Sequence, residues 1–231
     1  MTAPYSGPDP RRIREMFRDI SGRYDRANDV LSGGIHHIWR GRVVRWSGAR
    51  AGDRVLDCAT GTGDLAIAFR KAGCDVVGPD FVPEMLDCAR VKAPDITFAV
   101  ADVTHLEYPN ASFDIASISF GIRNVDDPAK AVSELSRVVR SGGRVMILEF
   151  GQPPNRVFRA LYDFYRIRIL PLIGGAITGK RDAYEYLESS TAKFPCGDDF
   201  ADLMRERGDF AAVEYERLSF GIAYLYRGVK R

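Results

Sequence analysis

Residues 55–66 read VLDCATGTGDLA, and this segment carries the clearest signal for the fold of the chain. An apolar strand runs directly into Gly61, Thr62 and Gly63, and a helical pattern follows. Glycine permits a tight turn there and lets the backbone approach a ligand that lies across the strand ends. A strand, a glycine turn and a helix in this order predict a nucleotide-binding α/β domain. The same letters also satisfy the dinucleotide pattern G-x-G-x-x-A, so the turn alone does not identify the ligand.

Strand and helix patterns extend this prediction along the chain. From residue 50 to residue 150, short apolar runs alternate with helical patterns, which predicts βαβ units and a parallel sheet. Two alternating runs near the end of the chain, 211–218 and 220–229, predict an antiparallel pair. We therefore expect an α/β fold with a doubly wound, mostly parallel, seven-stranded sheet (Rossmann-like) and a C-terminal antiparallel strand pair.

Two segments are expected to be helices with defined ends. One begins at the Asp127-Pro128 cap and is expected to run to Gly142-Gly143. The other is residues 155–173, which are aromatic and aliphatic nearly all round, with four Arg and one Asp interleaved. Pro171 and the glycines that follow it are expected to end this second segment.

Composition narrows the class of protein. The chain has 231 residues, 45% of them hydrophobic and 28% charged, as in ordinary globular proteins. No run of 18 residues lacks charge and no apolar run follows a basic start, so neither a membrane span nor a signal peptide is expected. Four cysteines without close pairs and three histidines without metal-ligand spacing favour the cytoplasm and no metal. Residues 1–50 have an excess of basic side chains and residues 51–150 an excess of acidic ones, and this distribution does not indicate nucleic-acid binding.

Three aspartates at successive strand ends indicate which ligand the turn holds. Asp57 ends the first strand, Asp80 follows the second strand nineteen residues after Gly61, and Asp102 follows the third. S-adenosylmethionine (SAM) carries a cationic amine and a sulfonium and no phosphate, so these carboxylates favour it over a nicotinamide dinucleotide. Asp80 would accept hydrogen bonds from the ribose, and Asp102 would hold the adenine amine. The simpler alternative, in which each aspartate caps a turn, competes for one residue but less well for all three.

These motifs resemble a known family. The turn motif, with GPDFVPEML (78–86), ADV (101–103) and SISFGIRNV (117–125), is similar to the ubiquinone/menaquinone biosynthesis C-methyltransferases. MFRDISGRYDRANDVLSGG (16–34) is similar to that family's N-terminal segment, and YEYLESSTAKFP (184–195) to its acceptor-side insertion. The resemblance therefore covers nearly the whole chain from Met16.

The resemblance implies a class I SAM-dependent methyltransferase made of a single domain. Residues 1–50 would form a helical cover, 51–150 the SAM-binding core, 151–210 an acceptor-side helical insertion and 211–231 the C-terminal strands. The implied reaction is C-methylation of a prenylated quinol ring in menaquinone or ubiquinone biosynthesis, demethylmenaquinol to menaquinol above all. SAM would be converted to S-adenosylhomocysteine. Methylation of another small hydrophobic acceptor and a non-catalytic SAM-binding subunit are the alternatives.

The implied partner is a membrane-soluble polyprenyl quinol. The sequence leaves open a peripheral contact with the inner face of the membrane, and also a homo-oligomer. Residues 155–173 are interpreted either as a core helix or as a helix that lines a tunnel for the polyprenyl tail or lies at the membrane interface.

The site residues implied by the resemblance fall into two sets. The cofactor set consists of the turn residues Asp57, Gly61 and Gly63 with the SAM contacts Thr62, Asp80, Asp102, Val103 and Ser119. The catalytic set consists of Arg123, Asn124 and Tyr24. Arg123 would stabilise the ring oxyanion that makes the neighbouring carbon nucleophilic, and Asn124 would orient a hydroxyl or carbonyl. Tyr24 would cover the cofactor.

Two points about the catalytic set stay open at this stage. Arg123 has a simpler alternative, a surface ion pair with Asp126 or Asp127. His36 and His37 each offer a base with an unperturbed pKa near neutrality, and the sequence does not show which of them lies near the ring.

Overall fold

A single sheet lies at the centre of the computed structural model, which describes residues 7–231. The strands are β1 (Arg54–Cys58), β2 (Asp75–Asp80), β3 (Thr97–Val100), β4 (Phe113–Ser119), β5 (Val139–Phe150), β6 (Phe210–Leu218) and β7 (Ala223–Lys230). They lie in the order β3-β2-β1-β4-β5-β7-β6. The neighbours among β1 to β5 pair in parallel, whereas β7 pairs antiparallel with β5 and β6. The expected fold class, including the C-terminal antiparallel pair, is confirmed.

Helices precede, separate and follow these strands. They are α1 (Pro10–Ile20), α2 (Tyr24–Ser32), α3 (Ile35–Ser47), α4 (Asp64–Lys71), α5 (Pro83–Lys92), α6 (Pro128–Val138), α7 (Arg156–Phe164), α8 (Leu170–Thr178), α9 (Arg181–Lys193) and α10 (Asp198–Arg207). The first six residues of the expected N-terminal cover lie outside the described residues. Within 7–231, no helix is both long and apolar enough to cross a membrane.

The core consists of two apolar layers, one on each face of the sheet. Successive residues of a strand point to opposite faces, so Leu56 belongs to one layer and Val55 to the other. In β4 the same alternation separates Ile118 from Ile115, and all four side chains are fully buried. A buried side chain of this size contributes about 1.5–3 kcal/mol. Burial on both faces explains why the strands read as continuous apolar runs.

The helix that begins at Asp127-Pro128 is shorter than expected. It ends at Val138, and Gly142-Gly143 lie within β5. Val139 pairs with Phe113 at once, and the register then shifts before the ladder resumes at Ile115. A β-carbon on Gly143 would lie only 2.6 Å from the carbonyl oxygen of Asp114. The glycines therefore allow the close approach of β5 to β4 at this register shift, and they do not end the helix.

Pro171 does not end the segment that contains it. The chain is a π-helix over Tyr165–Ile169, and Pro171 then lies in the first turn of α8, which continues to Thr178. Proline lacks an N–H and crowds the carbonyl four residues earlier in an α-helix, and a first-turn position avoids both problems. The segment therefore stays helical past both glycines, Gly174 and Gly175.

Candidate active site

Two neighbouring cavities lie at the carboxyl ends of the parallel strands. The strand-end cavity is lined by residues at or just after the ends of β1 to β4, among them Gly61, Asp80, Asp102, Val103 and Ser119. The apolar cavity has a volume of about 360 Å³ and is bordered by α1 to α3 and by the helices that follow β5. Ligands of open α/β sheets bind at this edge.

The glycine turn is fastened to the second strand. Gly61 and Gly63 have φ values of 58° and 84°, in the left-handed region that favours glycine. The carboxylate of Asp80 accepts hydrogen bonds from the backbone N–H groups of Gly61 (2.7 Å) and Val82 (2.8 Å). Asp80 is buried at the cavity wall, and this burial raises the pKa of its carboxyl group. Asp80 therefore holds the turn as well as lining the cavity.

Asp57 stabilises the start of the glycine turn through buried hydrogen bonds. Its side chain is 1% exposed and accepts hydrogen bonds from Ser117 Oγ (2.7 Å) and Thr60 Oγ1 (2.8 Å). Burial raises the pKa of Asp57 to about 6. It does not line either of the two cavities. Thr60 stands in the quoted turn motif, but the sequence offered no reason to select it.

Ser119 and Asp102 both face the strand-end cavity, but they differ in burial and in hydrogen bonding. The hydroxyl of Ser119 is buried and has no hydrogen-bond partner among residues 7–231. An unpaired buried hydroxyl costs about 1–3 kcal/mol, so its position fits a bound ligand that supplies the partner. Asp102 is exposed and accepts hydrogen bonds from Thr104 N and Oγ1, both at 2.8 Å. It therefore caps a turn, as the simpler alternative held, and also lines the cavity.

Thr62 connects the glycine turn to the N-terminal helices. Its hydroxyl donates to Asp25 Oδ1 at 2.5 Å, and Lys92 Nζ lies 2.8 Å from the other oxygen of Asp25. Lys92 also pairs with Asp64 at the start of α4. Thr62 is buried in this network and is not part of the wall of either cavity. This network ties α2 to the turn.

The two cavities share part of their walls. Phe17, Tyr24 and Phe120 line both of them. Phe17 and Tyr24 make an edge-to-face ring contact with centroids 6.0 Å apart. Burial raises the pKa of Tyr24, so its hydroxyl stays protonated at neutral pH. A reaction between ligands in the two cavities would occur beside these three rings.

Arg123 is buried at the wall of the apolar cavity. Its Nη1 lies 2.6 Å from Glu149 Oε1 and also donates to the carbonyl oxygen of Phe120 at 2.9 Å. Burial disfavours its charge, but the carboxylate of Glu149 keeps the pKa of Arg123 above its ordinary value. The alternative of a surface pair with Asp126 or Asp127 is wrong, because the partner comes from β5.

Sequence reasoning missed Glu149, although a signal was available. Glu149 is the one acid in the apolar run VMILEF, residues 145–150, and the side chain is 1% exposed. A charge in a buried strand needs a partner. That requirement points to a nearby cation without naming it.

Asn124 follows Arg123 in the turn after β4 and lies on the side of the strand-end cavity. Its Oδ1 accepts a hydrogen bond from the hydroxyl of Tyr186 at 3.0 Å. Asn124 lines the strand-end cavity, while Tyr186 lines the apolar cavity. This bond links the turn after β4 to α9, which carries the segment expected to be an acceptor-side insertion.

The structure separates the two histidines that the sequence left equivalent. His36 is 5% exposed and lines the apolar cavity, whereas His37 is exposed. Burial and the neighbouring Arg40 lower the pKa of His36 to about 4, so it is neutral at pH 7. A hydrogen bond of 2.5 Å joins its Nδ1 to Ser32 Oγ. Both histidines also approach Asp29, and the ligand atoms of the three residues lie within 4.8 Å of one another.

The ubiE/COQ5 methyltransferase family matches residues 7–230. The chain belongs to this family. A relative from Bdellovibrio bacteriovorus, named ubiquinone/menaquinone biosynthesis C-methyltransferase UbiE, is 57% identical, over 96% of this chain and 97% of that protein. A relative of the same name from Geobacter sp. is 44% identical, over 95% and 96%. The resemblance stated from the motifs is confirmed.

Solved structures show the same fold at low sequence identity. A SAM-dependent methyltransferase of Thermotoga maritima superposes with a TM-score of 0.67 at 18% identity, covering 95% of this chain and 100% of that one. Phosphoethanolamine N-methyltransferase 2 of Haemonchus contortus, solved with SAM, gives 0.62 at 17% identity, covering 83% and 52%. At these identities the likeness shows a shared fold and gives no information about the acceptor.

Proposed function

We propose that this chain transfers a methyl group from SAM to a ring carbon of a prenylated quinol, with demethylmenaquinol as the favoured acceptor. The by-products are S-adenosylhomocysteine and the proton of that ring carbon, which is released to solvent. The observation that carries the proposal is the junction of the two cavities. The strand-end cavity lies near the carboxylates of Asp57, Asp80 and Asp102. The other cavity is apolar, and Tyr24 lines both. Membership of the ubiE/COQ5 family and the names of its relatives support the same reaction.

The strand-end cavity suits SAM through its own residues. Asp80 has carboxylate oxygens at the wall for a ribose, and Asp102 and Val103 follow β3 where an adenine would lie. Ser119 supplies a hydroxyl that lacks a partner among residues 7–231. Gly61 lets the backbone approach closely, while Asp57, Gly63 and Thr62 stabilise the turn. When bound, SAM supplies an electrophilic methyl group.

A ring carbon of the acceptor becomes nucleophilic when the neighbouring hydroxyl is deprotonated, so the protein must stabilise the resulting oxyanion. A quinol hydroxyl has a phenol-like pKa of about 10, so little anion forms at pH 7 without a cation nearby. Arg123 provides that cation at the wall of the apolar cavity, and Glu149 holds the guanidinium in place. Asn124 lines the strand-end cavity and is bonded to Tyr186 of the apolar cavity, so we assign it to an acceptor oxygen at the junction of the two cavities. His36 also lines the apolar cavity, but its Nδ1 is bonded to Ser32 and its low pKa makes it a weak base, so we assign the activation of the ring to Arg123.

Methyl transfer itself tests the proposal. Purified protein is incubated with SAM and reduced demethylmenaquinone carrying a short tail, and the product is identified by mass spectrometry. We expect a ring C-methyl product, with saturable binding of SAM and none of NAD by calorimetry. NAD binding without SAM binding would refute the cofactor assignment. SAM binding without methylation of either a naphthoquinol or a benzoquinol would refute the acceptor assignment.

The same proposal places the protein at a membrane while it works. A polyprenyl quinol resides in the bilayer, so we propose a cytoplasmic protein that contacts the inner face of the membrane peripherally. We propose further that residues 1–231 work as one methyltransferase domain, in which 151–210 form the acceptor side.

A further inference from the structure

An exposed apolar stripe runs along the helical segment after β5. Val157, Leu161 and Phe164 of α7 are spaced four and three residues apart and are 74%, 66% and 62% exposed. Residues at this spacing share one face of a helix. Ile167 and Leu172, further along the segment, are also more than half exposed. None of the residues of α7 is buried, so this part of 155–173 is not a core helix, whereas Arg166 and Leu170 further along the segment are buried.

A further exposed aromatic side chain extends the stripe. Phe220 lies in the turn between β6 and β7 and is 80% exposed. Its ring contacts Phe158 of α7, with centroids 5.4 Å apart. Its backbone has a φ of 60°, a conformation that costs a residue with a side chain about 1 kcal/mol or more. Neither burial nor backbone preference accounts for a phenylalanine at this position.

The charges of this face are cationic. Arg156 and Arg168 are exposed, and neither forms an ion pair within residues 7–231. Asp163, the one acid among residues 155–173, is paired with Arg166. An apolar stripe flanked by arginines matches the headgroup and acyl layers of an anionic bilayer. In a two-fold contact with a second copy, this cationic face would meet itself, which disfavours that occupant.

The adjoining side of the same helical segment reaches the apolar cavity. Tyr162 and Tyr165 line that cavity, while Leu161 and Phe164 point to the outside. The cavity and the exposed stripe therefore lie on adjoining sides of one helical segment, whose diameter with side chains is about 10 Å. Insertion of the stripe to a depth of about 5–10 Å would bring the cavity to the level of the acyl chains.

We infer that Val157, Leu161, Phe164 and Phe220 form the surface that docks this protein on an anionic lipid bilayer, with Arg156 and Arg168 at the headgroups. This inference rests on the proposed function, because a lipid-soluble acceptor explains why the cavity adjoins the stripe. It goes further by naming the face that meets the lipid.

A tryptophan placed in the stripe reports insertion directly. Phe164→Trp is compared with Val91→Trp, since Val91 is an 85% exposed apolar residue on α5, away from the stripe. Emission is measured after subtracting the signal of wild-type protein, whose own tryptophans are Trp39 and Trp46. We expect brominated lipids in vesicles with phosphatidylglycerol to quench the introduced tryptophan of Phe164→Trp and to leave that of Val91→Trp unchanged.

A paired substitution tests the strength of docking. Leu161→Ser with Phe164→Ser should weaken co-sedimentation with phosphatidylglycerol vesicles by about tenfold or more, because two large apolar side chains no longer enter the lipid. Val91→Ser is the matched control and should bind as the wild type does. High salt and vesicles of phosphatidylcholine alone should each weaken binding, since the arginine attraction is then screened or absent.

Turnover of two acceptors separates this inference from the proposed function. The paired variant should methylate a detergent-soluble short-tail quinol at the wild-type rate but lose turnover of a long-tail quinol held in vesicles. Equal quenching of the two introduced tryptophans would overturn the docking surface. So would a concentration-dependent dimer that the paired substitution abolishes while vesicle binding persists. A wild-type protein that inserts into vesicles but methylates neither quinol would support the surface and refute the reaction.

Discussion

Replacement of Arg123 by alanine tests the proposed chemistry, and the structure determines how that variant must be interpreted. The guanidinium and the carboxylate of Glu149 are 2.6 Å apart, with side chains 6% and 1% exposed. In Arg123→Ala the carboxylate stays buried without its cation. Loss of one partner of a buried pair costs about 3–5 kcal/mol. At roughly 2–4 °C per kcal/mol for a chain of this size, Tm should fall by roughly 6–20 °C.

The kinetic effect has a separate cause. Without the guanidinium the ring oxyanion loses a preorganised electrostatic partner, and methyl transfer should fall by ~10²-fold or more. SAM affinity should be unchanged, because Arg123 does not line the strand-end cavity. Raising the pH toward the quinol pKa of about 10 should recover part of the rate, since hydroxide then deprotonates a larger fraction of the quinol. Arg123→Lys keeps the charge without the planar fork and should fall between alanine and the wild type.

A double variant separates stability from chemistry. Arg123→Ala with Glu149→Gln contains no unpaired buried charge, so most of the lost Tm should return while the rate stays low. The measurements are Tm, SAM affinity by calorimetry and turnover at saturating SAM. If the double variant regains wild-type turnover, or the alanine variant keeps it, Arg123 does not activate the acceptor. A folded alanine variant that no longer binds SAM would assign Arg123 to the cofactor instead.

Two further predictions concern the aspartates of the turn. Asp80→Asn keeps an acceptor for one of its two backbone N–H partners but loses the acceptor for the other and for the ribose, so SAM affinity measured by calorimetry should fall about tenfold to a hundredfold, and an unchanged affinity would mean that the ribose lies elsewhere. Burial raises the pKa of Asp57 from 3.8 to about 6, so between those pH values the folded protein binds more protons there than the unfolded chain does, and this group lowers the free energy of unfolding by about 3 kcal/mol as pH rises through that window. Asp57→Asn should remove this part of the pH dependence, and denaturant titrations at pH 4 and pH 7 that show the same difference for variant and wild type would contradict it.

The fold, and the edge of the sheet where the two cavities lie, can be predicted from the sequence without a structure. Apolar runs that alternate with helical patterns specify parallel strands, and the glycines of residues 55–66 mark the turn after β1. These are local signals, because strand and helix periodicity and the conformational freedom of glycine act within a few residues. The same locality explains the two errors. Gly142-Gly143 and Pro171 are strong local breakers, yet pairing of β5 with β4 and a first-turn position in α8 accommodate them.

Which side chains meet depends on the packing of the whole chain. Arg123 and Glu149 are 26 residues apart in the chain, and Thr62 and Asp25 are 37 apart. His36 and His37 are adjacent in sequence, but helix packing buries one and exposes the other. Contacts of this kind depend on how strands and helices pack together, and no periodicity within a single segment records them. The residue types of the candidate site can therefore be recognised in the sequence, whereas their partners, charge states and access to solvent follow from packing.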